Sequence, residues 1–216
     1  MIWNRTYNKY PGGTKVKAMI FDIDGTLLQS DVNDDAPVLG ISSLRYLAMS
    51  ACVRPGGCIH NSLFSGILAE ILNDNAIETT SERVGAVRDH FVESVRRHLS
   101  EQGPFVEMPG ARTFVQNLHN STMYRIAYAT GGWRGSALLK LSLSGFPITG
   151  LATSDDHFQR KEIMLNALRQ LNRVFETVTY YGDGHWDAVA AKALGWQFVP
   201  VGTKLNGLTR YEQCVS

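Results

Sequence analysis

Cysteine is scarce: three in 216 residues, Cys52, Cys58 and Cys214, with no C-x-x-C pair. That excludes a disulfide scaffold and fits reduced thiols in a cytoplasm. Cys58 and His60 are metal-ligand types without partners, so no zinc site is expected. Charge of one sign is also missing. Lys and Arg number 21 against 20 Asp and Glu, net +1, and the basic residues are scattered. There is no basic footprint for nucleic acid or anionic lipid. No apolar run approaches the roughly 20 residues of a membrane span. The opening stretch MIWNRTYNKYPGGTK has no apolar h-region, so no secretory signal is expected. Repeats and low-complexity tracts are absent. The expectation is a cytoplasmic protein with no nucleic-acid or membrane partner, a monomer or homodimer.

What is present is a change of pattern along the chain. The length suits one core plus a smaller unit. Residues 1–15 are polar and read as an extension. A first strand is expected over about Val16 to Asp22. Residues 31–105 then follow a helical period. Val84, Val87, Phe91, Val95 and Leu99 form one apolar stripe, and Leu63, Ile67, Leu68, Ile71 and Leu72 form another. Ile41, Leu44, Leu47 and Ala48 suggest a third helix, and RPGG at Arg54–Gly57 breaks the chain.

After Gly110, helices and strands alternate. RIAYAT, about Ile148 to Ala152, TVTYYGDG and WQFVPVG read as strands; Phe114–Leu118, Leu138–Leu143, Ile163–Leu171 and Ala188–Leu194 read as helices. Alternation of this kind predicts an α/β fold with an open, mostly parallel sheet. The core would be residues 16–30 and 106–216. The helical 31–105 segment, inserted after the first strand, would sit over the C-terminal edge of the sheet, where such folds bind ligands.

Polar groups collect at that edge. Asp22 and Asp24 end the first strand, Thr130, Gly131 and Gly132 follow the second, Arg160 and Lys161 open a later helix, and Asp183 and Asp187 follow the fourth strand. Four carboxylates in one crevice repel unless a divalent cation holds them, and hard oxygen donors suit Mg²⁺. One of Asp22 and Asp24 can attack as a nucleophile while the other acts as general acid and base. Thr130 with the Gly131 and Gly132 N–H groups reads as an anion cradle at a helix N-terminus. Either Arg160 or Lys161 can offset negative charge. Together these parts describe phosphoryl transfer through an aspartyl-phosphate.

The remaining polar features read more plainly. Asp155, Asp156 and His157 are expected on the crevice rim or in a turn, and Arg88, Arg96 and Arg97 on a solvated helix face. His185 and Trp186 are expected as packing or a half-exposed lid.

On these motifs the chain resembles the haloacid dehalogenase superfamily, on the side of its phosphatases with a helical cap. AMIFDIDGT matches the hhhhDxDGT signature, RIAYATGG the second motif and YYGDGHWDAVAAKALG the fourth, in order over about residues 17–203. The resemblance implies a Rossmann-like core, a helical C1 cap at 31–105 and Mg²⁺. It makes Asp22 the nucleophile and Asp24 the acid/base, with the Asp24 carbonyl on the metal. It also makes Asp183 a direct ligand, with Asp187 supporting the metal or the cation. In SDDHFQRKEIM an Arg-x-Glu arrangement favours Arg160 over Lys161. A dehalogenase has no leaving oxygen to protonate, so Asp24 points to phosphate esters. The expected substrate is a small-molecule phosphate ester. A β-phosphoglucomutase-like mutase is the alternative enzyme, and an inactive binding protein the alternative of another class.

Overall fold

The computed structural model describes residues 15–29 and 63–214. The helix expected from Ile41 to Ala48, the break at Arg54–Gly57, Cys52, Cys58, His60 and nearly all of the N-terminal extension lie outside the described residues.

Among the described residues five strands form one parallel sheet. They are β1 (Lys17–Phe21), β2 (Tyr124–Ala129), β3 (Leu151–Ala152), β4 (Val178–Gly182) and β5 (Gln197–Pro200), in the order β3-β2-β1-β4-β5. The helices are α1 (Phe64–Asp74), α2 (Ser81–Gln102), α3 (Ala111–Asn120), α4 (Arg134–Leu143), α5 (Arg160–Gln170) and α6 (His185–Leu194). The chain is an α/β protein with a Rossmann-like sheet, as its alternating pattern predicts.

Apolar residues on both faces of the strands explain the layering. Phe21, Ile126 and Tyr128 pack with Phe114, Val115 and Leu118 of α3 and with Leu141 of α4. Ile20, Ala127 and Tyr180 pack on the other face with Ile163, Met164 and Ala167 of α5 and Ala190 and Ala191 of α6. Strand β3 is shorter than the expected span of about Ile148 to Ala152. Only Leu151 and Ala152 pair, with Tyr128 and Ala129. Pro147 has no N–H to give a ladder, and Ile148 is exposed.

Register brings the polar strand ends together. Phe21 is level with Tyr128 on one side and Tyr181 on the other. Asp22, Thr130 and Asp183 therefore leave the sheet side by side. After β3 the chain crosses to β4, on the far side of β1, so the crevice forms where the winding reverses. Gly25, at φ 72°, makes the turn after β1 in a conformation that disfavours other residues.

Helices α1 and α2 bury Leu68, Leu72, Val87, Phe91, Val95 and Leu99 against each other and against Trp133, which precedes α4. Thr80 caps α2 by accepting from the Arg83 N–H at 3.2 Å. The α1 end reaches the core directly: the Phe64 N–H donates to the Gly131 carbonyl at 3.0 Å. No described helix is long and apolar enough to cross a membrane.

Candidate active site

Asp22 stands at the end of β1 and is buried. Its Oδ1 accepts from the Ile23 N–H at 2.8 Å, and its Oδ2 accepts from Arg160 Nη2 at 2.5 Å. Asp183, just past β4, and Asp187, in the first turn of α6, are buried beside it. The three carboxylates bring oxygens within 4.8 Å of one another. Lys204 Nζ donates to Asp183 Oδ2 at 2.9 Å from the exposed side.

Asp187 is engaged on both oxygens. Arg160 Nε donates to Oδ1 at 2.6 Å, and the Gly184 N–H donates to Oδ2 at 3.2 Å. Its carboxyl lies so close to Gly182 that a Cβ there would sit 2.6 Å from Oδ2. A glycine at the end of β4 is what lets Asp187 turn back onto the strand.

Arg160 thus bridges Asp22 and Asp187 with one guanidinium, a use of its fork that a lysine cannot copy. Lys161 does not reach the cluster. Its side chain is half exposed and its nearest carboxylate is Glu162, at 4.0 Å. Helix phase explains the choice: Arg160, Ile163, Met164 and Ala167 share the inward face of α5.

The electrostatics follow from burial. Desolvation pushes the Asp22 carboxyl up to about 8. Arg160 opposes the shift, while Asp187, Asp183 and Asp24 add to it. For Arg160, burial disfavours the charge, but Asp187 and Asp22 outweigh it and hold the guanidinium charged. Burial also pushes up the Tyr180 hydroxyl, which donates to the Ala129 carbonyl at 2.8 Å. Three clustered carboxylates offering only hard oxygens fit a hard divalent cation, which would remove this penalty.

Thr130 is buried next to this cluster, and its Oγ1 accepts from the Gly132 N–H at 3.3 Å. The expectation that Gly131 and Gly132 open a helix needs correction. Helix α4 starts at Arg134, and its leading N–H donates to Asp155 Oδ2 at 2.6 Å. Asp155 thereby accepts from the first N–H of α4. Asp156 accepts from the Thr153 N–H at 2.7 Å and from Arg134, so the TSDDH stretch is a braced turn. Trp186 is 44% exposed and lies over Gly184.

Asp24 is partly exposed, and its Oδ1 accepts from Lys140, a buried residue of α4 that sequence reading missed. The missed signal was its place in RGSALLKLSL, on the same face as Ala137 and Leu141. Lys204 and the Trp133–Ser65 bond, 3.0 Å from Nε1 to Oγ, carried no motif at all.

A family model described as haloacid dehalogenase-like hydrolase matches residues 16–195. The chain belongs to the haloacid dehalogenase-like hydrolases. Comparison with curated protein sequences finds no match. Among solved structures it is similar to CbbY from Rhodobacter sphaeroides in complex with phosphate. The two are 18% identical, with 91% of this chain and 88% of that one covered and a TM-score of 0.64. It is also similar to a β-phosphoglucomutase from Clostridium difficile, at 17% identity, 88% and 86% coverage and a TM-score of 0.66. A putative phosphoglycolate phosphatase from Lactobacillus plantarum gives 17%, 87% and 86%, and 0.54. At these identities the likeness is one of fold. The membership makes the chain an enzyme, a hydrolase with an acidic cluster suited to a divalent metal.

Proposed function

We propose that this hydrolase is a Mg²⁺-dependent phosphatase for a small phosphorylated metabolite, working through an aspartyl-phosphate on Asp22. The observation that carries the reading is the pairing of roles at the end of β1. Asp22 is buried and gripped by Arg160, while Asp24 is partly open to the crevice. An Asp22 oxygen would bond to phosphorus as the ester P–O bond breaks, and Asp24 would give its proton to the leaving oxygen. Water would then attack phosphorus, Asp24 would take a water proton, and the bond to Asp22 would break to free inorganic phosphate.

Arg160 would offset charge on the phosphorylated carboxyl, with Asp187 holding the guanidinium in place. Thr130, Gly131 and Gly132 would bound the phosphoryl site. Asp22, the Asp24 carbonyl and Asp183 would hold Mg²⁺, with Asp187 beside them, and the ion would supply positive charge where phosphoryl charge collects. Residues 31–105 would serve as the helical cap over a core of 16–30 and 106–216, closing to exclude water and select the ester. Fold relatives that carry phosphate or xylulose 1,5-bisphosphate support the substrate class.

The test is Mg²⁺-stimulated phosphate release from a panel of phosphorylated metabolites, with Asp22→Asn beside the native protein. Release without added sugar bisphosphate is expected, which separates a phosphatase from a mutase. Asp22→Asn should lose activity by about 10³-fold or more. Substantial activity left in that variant would remove the nucleophile assignment.

A further inference from the structure

Lys140 occupies a position that favours an apolar side chain. It shares the inward face of α4 with Ser136, Ala137 and Leu141, and its side chain is 5% exposed. A buried ammonium is costly unless it is paired. Its Nζ donates to Asp24 Oδ1 and lies 5.2 Å from the centre of the Phe105 ring, within reach of a cation–π contact. Phe105 belongs to the segment that returns from α2 to the core, and it stacks on His98 at 4.8 Å. The lysine is therefore fixed from both sides.

The pair is asymmetric. Asp24 is 28% exposed, so the carboxyl end faces the crevice and the ammonium end faces the core. The other carboxyl oxygen, Oδ2, lies towards Gly132: a Cβ placed on that glycine would be 3.9 Å from it and 3.8 Å from Thr130 Oγ1. Lys140 holds Oδ1 of Asp24, and Oδ2 borders the loop at the end of β2.

We infer, on the phosphatase reading given above, that Lys140 is a positioning residue for Asp24. By holding Oδ1 it sets the rotamer of the carboxyl, so that Oδ2 meets the leaving oxygen. In the first half-reaction the Asp22–phosphorus bond forms and the ester P–O bond breaks. The electron pair released on the leaving oxygen takes the proton from Asp24. Lys140 touches no reacting atom. A carboxyl free to rotate would spend part of its time pointing away from the leaving group, and proton transfer is sensitive to that geometry.

The experiment compares two esters of similar shape in the Mg²⁺-loaded protein. p-Nitrophenyl phosphate has a good leaving group that needs little protonation, whereas phenyl phosphate has a poorer one. The readout is kcat/KM, which ends at departure of the leaving group. Asp24→Asn provides the reference pattern. Lys140→Met, which keeps the stem and removes the charge, should lose about 10-fold more kcat/KM on phenyl than on p-nitrophenyl phosphate, part of the roughly 10²–10⁴ that acid–base catalysis provides. Lys140→Arg should restore part of the difference. Equal losses on the two esters in Lys140→Met would overturn the positioning role and leave the phosphatase reading standing. No phosphate release from either ester by the native protein would overturn both. If Lys140→Met fails to fold by circular dichroism, Lys140→Gln carries the same comparison, and equal losses there count equally against the role.

Discussion

The crevice floor and the helices beside it are held together by different forces. On the floor, Asp22, Arg160 and Asp187 come from three separate elements and are joined by short charged hydrogen bonds out of contact with water. Helices α1 and α2 are joined mainly by apolar contact. Phe64 and Phe91 each meet Trp133 edge-on at 5.3 Å, and polar links such as Ser65 Oγ to Ser154 Oγ at 3.2 Å lie at their edge. Charged bonds have strict geometry and fix where atoms lie. Apolar contacts tolerate sliding. On the proposed reading of residues 31–105 as a cap, a floor built the first way and helices built the second would suit a site whose chemistry is constant and whose cover is adjustable.

The comparison is broken most severely at Arg160. Arg160→Met leaves Asp22 and Asp187 buried without their shared cation. Breaking a buried pair costs about 3–5 kcal/mol, and activity should fall with it. Lys161→Met should stay within about 0.5 kcal/mol, since that side chain is half exposed. Denaturant unfolding of the two variants reads the contrast. Similar losses in both would show that the neighbours share the work.

The difference between these neighbours was readable in principle. Arg160 continues the inward stripe of Ile163, Met164 and Ala167, but Leu165, Leu168 and Leu171 suggest a competing phase, and they are only partly buried. The strand ends were easier. Asp22 and Asp183 each follow an apolar run, and a parallel sheet places such ends together whatever the side chains do. Only the helix start after Gly132 was misplaced: Asp155 is the residue that meets the first turn of α4, and no local pattern announces a partner so far along the chain. Lys140 was hidden for the opposite reason: a lysine in a helix normally marks the solvent face.

The floor should also respond to pH in a way the helices do not. Asp22 titrates near 8 when folded, because of burial, against 3.8 as an isolated group. Between those values the folded protein keeps a proton that the unfolded chain releases. The contribution is therefore fully present at low pH and is lost as pH rises towards 8. Metal binding must expel the same proton, so Mg²⁺ affinity should rise over that window. Between about pH 5 and pH 8, the melting temperature of metal-free protein should fall, and the increase produced by Mg²⁺ should grow. Asp22→Asn should flatten both trends. A metal-free melting temperature that climbs with pH would contradict the balance of forces described at Asp22.

On the helical side the sharpest probe is Trp133, 3% exposed, with its Nε1–H donating to Ser65. Trp133→Ala should cost about 3 kcal/mol from lost packing. Hydrogen exchange should quicken in α1 and α2 more than in β1 and β4, because the cavity opens between the helices and the sheet. Uniform acceleration across the sheet would mean that the two regions unfold as one unit.

The smallest effect is expected at Arg88. Its Nη1 donates to Asp155 Oδ1 at 2.7 Å, linking α2 to the turn that caps α4, but its side chain is 41% exposed. Exposed ion pairs contribute about 0–1 kcal/mol, because water already solvates both partners. Arg88→Ala should leave thermal stability nearly unchanged. The Arg134 N–H and the Thr153 hydroxyl continue to hold the Asp155 segment. A kinetic effect is still expected, since this pair joins the helical side to the loop beside Thr130. KM for the best ester should move more than kcat if the contact biases how the helices sit over the crevice. A change in kcat alone would instead assign Arg88 to the floor, and would place the boundary between the two regions at α2 rather than at Trp133.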